Sequence, residues 1–243
     1  HGDRPVEPRA RLQGHAVAEV IGPLGHQHVA PVGGGVGGLE CRVIVGGAIA
    51  QGAGVAHVHH AEAGAQALLA LQREAGRLLA QVFAMLDDKI VAGISTLQIN
   101  DLAERYIVDE LQARPASKGQ YGFAYVLNTS VNDVVCHGIP SATQLLKHGD
   151  IVNIDITLEK NGFIADSSKM YVLEGASAQA KRLVKTTYEA LWKGIEVVRP
   201  GATLGDIGNA VQRHAEAAGY SIVREYCGHG IGREMHEVIE FRN

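Results

Sequence analysis

The chain has 243 residues, enough for one large domain or two small ones. Its formal net charge of −4 gives no electrostatic reason to expect nucleic-acid binding, and no run approaches the roughly 18 consecutive apolar residues that would span a bilayer. Cys41, Cys136 and Cys227 are too far apart to suggest a disulfide framework, and the start lacks the basic-then-apolar order of a signal peptide, so the expected location is the cytoplasm.

The chain changes character along its length. No Phe, Tyr or Trp precedes Phe83, no Lys precedes Lys89, and no Ser or Thr precedes Ser95. Residues 1–65 are rich in Gly, Ala, Val and His and offer few large apolar side chains for a core. This segment reads as disordered or weakly ordered, or as sequence outside the native coding frame. His26, His28, His57, His59 and His60 raise a His-rich metal tract as the alternative. The run Gly33-Gly34-Gly35-Val36-Gly37-Gly38 lacks the Gly-Lys-Ser/Thr ending of a phosphate-binding loop.

From about Ala61 the pattern predicts a helix, with Leu68, Leu71, Ala75, Leu78, Leu79, Val82, Phe83 and Leu86 at spacings of three and four. Gly93-Ile94 breaks it, and Ser95 or Thr96 can cap a second helix through Ile99, Leu102, Ala103, Tyr106, Ile107 and Leu111, which Pro115 ends. Residues 122–137 read as strand, bending at Thr129-Ser130-Val131-Asn132. Gly149-Asp150 then turns the chain into a hairpin whose strands hold Asp155 and Asp166 and whose turn is Asn161-Gly162. Helices follow over about 177–198 and 203–218, stopped by Pro200-Gly201 and Gly219, and a strand through Ile222 and Val223 leads to Cys227-Gly228-His229-Gly230-Ile231-Gly232. The body is therefore α+β, an antiparallel sheet covered by helix pairs.

If Asn161 and Gly162 form the turn, Lys160 faces Phe163, Asp166 faces Thr157, and Asp155 sits on the same face one diagonal away, about 7–8 Å in such geometry. Carboxylates converging from neighbouring strands suit two divalent metals about 3.5–4 Å apart. Without a cation, such a pair would be strongly disfavoured when buried. The alternative is a solvated edge or turn aspartate, and a one-residue slip would turn one of them away. His137 before Gly138-Ile139-Pro140, His229 between glycines, and His236 could each be an ordinary loop histidine. Taken with the aspartates, imidazole and carboxylate suit Mn, Fe, Co or Zn rather than Ca.

At this point the body resembles type I methionine aminopeptidase. The resemblance rests on Arg73-Glu74-Ala75-Gly76-Arg77, Gly93-Ile94-Ser95-Thr96, Ser130-Val131-Asn132-Asp133-Val134-Val135-Cys136-His137-Gly138-Ile139-Pro140, Gly149-Asp150-Ile151-Val152-Asn153-Ile154-Asp155, Ala165-Asp166-Ser167-Ser168-Lys169-Met170 and Glu225-Tyr226-Cys227-Gly228-His229-Gly230-Ile231-Gly232. It implies the pita-bread fold and a cytoplasmic metalloexopeptidase that removes the N-terminal methionine from new chains. The implied cofactor is two divalent metal ions (Co, Mn, Fe or Zn). Asp155 would hold one metal, Asp166 would bridge both, and His229 would ligate the second. His137 and His236 would contact substrate in catalysis, with His236 placed to donate to the scissile carbonyl, and Phe123 would line the methionine pocket. A metal-bridging hydroxide would attack the first peptide bond. The implied partners are peptide N-termini beginning with Met, close to ribosomes, with no direct nucleic-acid or membrane contact, for a chain expected to be a monomer.

The chain also departs from the family. Gln120 and Asn128 stand where many members carry Tyr and Cys. The family has two more metal-binding glutamates downstream of His236, one in a Thr-Ile-Glu-Pro-like strand, and favours His-Glu-x-Pro where this chain reads His236-Glu237-Val238-Ile239. The expected organisation is a domain over 66–237 with its last strands missing, followed by an unrelated tail over 238–243, and an activity impaired by truncation. The alternatives are a prolidase- or creatinase-type hydrolase, and a non-catalytic binding protein or inactive fragment that keeps the fold.

Overall fold

The structure is a computed structural model. It describes His15–Ala16, residues 55–199, 201–224, 226, 228–237 and 240–241, with side chains described only between residues 66 and 237. The glycine run, His26, His28 and Cys41 lie outside these residues, as do Cys227 and the side chains of His57, His59 and His60.

Helix α1 (Val55–Leu86) starts ahead of the apolar periodicity, which becomes regular only after Leu68. Its inward face places Ala75, Leu79, Val82, Phe83 and Leu86 in the core. Helix α2 (Thr96–Arg105) begins at a capping box in which the Ser95 hydroxyl accepts from the Gln98 amide and the Gln98 side chain accepts from the Ser95 amide. It passes into a π-helical turn, Tyr106–Glu110, and stops at Leu111 rather than at Pro115. Gln112 there has φ of 49°, and the Lys160 ammonium donates to the carbonyls of Leu111 and Gln112 at 2.9 and 2.7 Å, closing the helix end.

Strands β2 (Arg114–Pro115), β3 (Leu127–Val131), β4 (Ile151–Lys160) and β5 (Phe163–Val172) form one antiparallel sheet. β5 pairs with β4 over its whole length, so β2 and β3 share the other edge of β4. The register is the one the sequence predicts: Lys160 faces Phe163 and Thr157 faces Asp166. Asn161 and Gly162 have φ of 54° and 78°, as a two-residue hairpin turn of primed type requires.

The side chains of β4 alternate between two faces. Val152, Ile154, Ile156 and Leu158 are fully buried against α1 and α2, while Asn153, Asp155 and Thr157 point to the opposite face. Each fully buried aliphatic side chain contributes about 1.5–3 kcal/mol, so this seam holds the sheet to the helices and leaves its polar face for chemistry. On β5, Lys169 points to the helix side and ion-pairs with Asp87 at the end of α1 at 2.6 Å.

The expected strand over 122–137 is corrected at both ends. Residues Gln120–Gly122 form a 3-10 turn ahead of it, and the strand stops at Val131. Asn132 adopts φ of 55°, and its side chain donates to Asp150 and accepts from the Ile151 amide, so the chain turns there. His137 therefore lies in a loop and not at a strand end, and Val134 and Val135 are 40% and 42% exposed.

Helices α3 (Ala178–Glu196) and α4 (Leu204–Ala217) pack together through Ala190, Ile207 and Val211. The short strand β6 (Ser221–Ile222) pairs in parallel with β1 (His15–Ala16). Strand β7 (Gly228–His229) pairs antiparallel with β8 (Glu240–Phe241), so part of the expected tail joins a strand pair. Among the described residues no helix is long and apolar enough to cross a membrane.

Candidate active site

Three of the expected site residues meet beside β5. Asp166 is 5% exposed and accepts the Thr157 hydroxyl at 2.9 Å from directly across the strand pair. His229, 9% exposed, brings Nε2 to 3.7 Å from Asp166 Oδ2. The His229 and His236 rings stack with centroids 4.3 Å apart and planes tilted by 43°. His229 Nδ1 lies 3.2 Å from the Gly230 carbonyl oxygen. A carbonyl can only accept, so this contact is a hydrogen bond when Nδ1 carries the proton; in that neutral tautomer Nε2 has its lone pair on the Asp166 side, available for an ion between the two.

Asp155 stands on the same sheet face as Asp166, opposite Ser168, and accepts a hydrogen bond from Asn128 Nδ2 at 3.2 Å. The pairing of Asn128 with Asp155 follows from the β3–β4 register. In the sequence Asn128 stands out only as a departure from the family, and this contact has no signal there.

His137 sits at φ of 56° in the loop after β3, with the Tyr226 ring at 6.0 Å, edge to face. Gly138 fixes that loop. Its carbonyl accepts from the Thr129 amide at 2.8 Å, and a Cβ at this position would lie 2.0 Å from the Thr129 oxygen. Phe123 follows the turn at Gln120–Gly122 and packs its ring against Tyr125 at 5.6 Å.

The donors fit a divalent transition ion in type. The 3.7 Å between His229 Nε2 and Asp166 Oδ2 can be spanned by one ion with bonds of about 2.0–2.2 Å. Among the described residues no group of three or more His, Cys, Asp and Glu side chains is gathered to hold a metal ion. The structure thus brings two of the three expected ligands together, with His236 beside them, and leaves Asp155 on the neighbouring strand. A groove of about 810 Å³ between α3 and α4, lined by Lys193, Arg199, Asp206 and Arg213 among others, contains none of these residues.

A model of metallopeptidase family M24 matches residues 70–243. The chain belongs to that family. It is 46% identical over 165 residues to a methionine aminopeptidase of Escherichia coli (strain K12), covering 68% of this chain and 62% of the relative's length. The crystal structure of methionine aminopeptidase from Rickettsia prowazekii superposes with a TM-score of 0.68 at 46% identity, over 70% of this chain and 68% of that one. An X-Pro aminopeptidase from Thermotoga maritima shares the fold alone, at 20% identity and a TM-score of 0.61, over 73% of this chain and 48% of that one. The sheet and helix pairs are those of the pita-bread fold, as the sequence leads one to expect.

Proposed function

We propose that the protein is a metal-dependent methionyl aminopeptidase that removes the N-terminal methionine from new polypeptides. The observation that carries this reading is the buried Asp166 carboxylate, held by Thr157 and facing His229 Nε2 at 3.7 Å, with His236 stacked alongside. In this reading residues 66–237 are the catalytic unit. Asp155, Asp166 and His229 hold one or two divalent ions of the Co, Mn, Fe or Zn type.

A bound ion supplies Lewis-acid polarisation and lowers the pKa of its water. The chain's own residues do the rest. Thr157 donates to Asp166 and fixes the direction of its remaining lone pairs. The Gly230 carbonyl accepts from His229 Nδ1 in the tautomer that leaves Nε2 for the ion. His236 donates to the scissile carbonyl, where negative charge develops as the bond is attacked. His137, beside Tyr226, binds the peptide next to the bond that breaks. Phe123 forms an apolar wall for the methionine side chain. In this reading the enzyme works in the cytoplasm, near the ribosomes from which its substrates emerge, and as a monomer.

The test is a peptide panel. The full chain, supplied with Co²⁺, Mn²⁺ or Fe²⁺, is expected to release Met from Met-Ala-Ser and to leave X-Pro peptides intact. Release of the first residue from X-Pro peptides with Met-Ala-Ser untouched would favour a prolidase-type hydrolase. Peptide binding that persists in a chelator without turnover would favour a non-catalytic role.

A further inference from the structure

His229 and His236 are seven positions apart, yet their rings stack at 4.3 Å. One tie between them is in the backbone of the residues that follow them. The Glu237 amide donates to the Gly230 carbonyl at 2.9 Å, so the residue after one histidine is bonded to the residue after the other.

The first half of the intervening loop is fastened to the hairpin. The Ile164 amide donates to the Gly232 carbonyl at 2.8 Å, Ile231 packs with Ile164 and Ala116, and the Arg233 guanidinium lies over the Phe163 ring at 4.7 Å. The second half is closed by the Glu237 side chain. Its Oε1 accepts from the Arg233 amide at 3.1 Å and from the Glu234 amide at 3.3 Å. Gly232 makes room for this carboxylate, since a Cβ there would lie 2.5 Å from Glu237 Oε1.

We propose that Glu237 is a positioning residue: its carboxylate fastens the 230–237 loop so that His229 and His236 are presented side by side to Asp166 and the substrate. The proposal rests on the aminopeptidase reading for the roles of the two histidines. It gives Glu237 a role in shaping the loop, distinct from that of a metal ligand. A carboxylate ligand owes much of its hold on the ion to its charge, which glutamine lacks, whereas the two amide bonds need only an accepting oxygen, which glutamine also offers.

The test uses the full chain and its Glu237→Gln, Glu237→Ala and Gly232→Ala variants. Two signals are read: the proton NOE between the His229 and His236 rings without metal, and Co²⁺ affinity by titration. Glu237→Ala and Gly232→Ala are expected to lose the NOE and weaken Co²⁺ binding about 10–100-fold, as loss of a residue that orients ligands does. Glu237→Gln is expected to keep both signals. An NOE that persists in Glu237→Ala overturns the proposal, and so does a Co²⁺ affinity that falls as far in Glu237→Gln as in Glu237→Ala. If Glu237→Ala precipitates, the glutamine variant decides: retention of both signals supports the proposal and their loss overturns it. If the parent chain shows the NOE but binds no Co²⁺, the aminopeptidase reading fails, while the NOE series still decides the positioning role.

Discussion

Thr157 donates its hydroxyl to Asp166 Oδ1 at 2.9 Å, from the position directly opposite on the paired strand. The two side chains are buried together, and this bond helps to set how Asp166 presents its second oxygen to His229. Thr157→Val keeps the β-branched shape and removes the donor. It is expected to cost about 1–3 kcal/mol in urea unfolding, because a buried carboxylate loses a hydrogen-bond donor. Co²⁺ affinity is expected to fall about 10–100-fold in titration. Unchanged affinity would mean that Asp166 is oriented by other groups.

Gly138→Ala tests the loop that carries His137. The added methyl would sit 2.0 Å from the Thr129 carbonyl oxygen, which is backbone and cannot swing aside. The loop must lift from β3 and break the bond from the Thr129 amide to the Gly138 carbonyl. The expected cost is about 1–3 kcal/mol of stability, with a rise in KM larger than any loss of thermal stability explains. An alanine variant with the parent's melting temperature and KM would show that the loop does not depend on this close approach.

Much of this was legible in the sequence because the hairpin dictates its own register. Asn161 and Gly162 supply the two positive φ angles of a tight turn, and the rest of the pairing, including Thr157 opposite Asp166, follows by counting back. The alternation Ile154-Asp155-Ile156-Thr157-Leu158 likewise announces one apolar and one polar face. The β3 region misled for a physical reason. Val134-Val135 has strand composition, but the Asn132 side chain bonds to Asp150 and to the Ile151 amide, and that long-range contact turns the chain early. The meeting of His229 with His236 was also hidden, since it depends on Glu237 and Gly230 closing a loop that has no periodicity to read. The bond from Asn128 to Asp155 appears only once β3 is laid against β4.

The ion pair between Lys169 and Asp87 is asymmetric. The Lys169 side chain is 5% exposed and that of Asp87 is 47% exposed. Asp87→Ala strands a buried ammonium and removes an acceptor of the Tyr171 hydroxyl, another being the Phe83 carbonyl at 3.4 Å, whereas Lys169→Met fills the same space with apolar atoms and leaves Asp87 in water. Asp87→Ala is expected to be the more destabilising of the two, by less than the roughly 3–5 kcal/mol seen when a fully buried pair is broken. Chemical denaturation of both variants checks the order. A larger loss in Lys169→Met would show that the lysine stem's packing outweighs the charge.

Helix α4 begins at a capping box in which Asp206 accepts from the Thr203 amide and hydroxyl. The amide bond first, then the hydroxyl bond, holds the Asp206 carboxyl below its ordinary range, with a smaller contribution from the Arg199 charge. A carboxylate whose pKa is lower folded than unfolded stabilises the fold at pH values above its unfolded pKa, and that contribution is lost as pH falls through the folded pKa. Amide exchange in the first turn of α4 is therefore expected to lose protection at acid pH, and Asp206→Asn to flatten this dependence. An unchanged acid profile in Asp206→Asn would assign the effect to another group.

The central claim is that Asp166 and His229 form the core of a metal site in an M24 enzyme. The most direct measurement is Co²⁺ titration of the full chain by calorimetry, beside the Asp166→Ala variant. The account predicts a saturable Co²⁺ site in the parent chain that the substitution abolishes while the fold, read by circular dichroism, persists. Equal Co²⁺ binding by both proteins, or none by the parent chain, would contradict it.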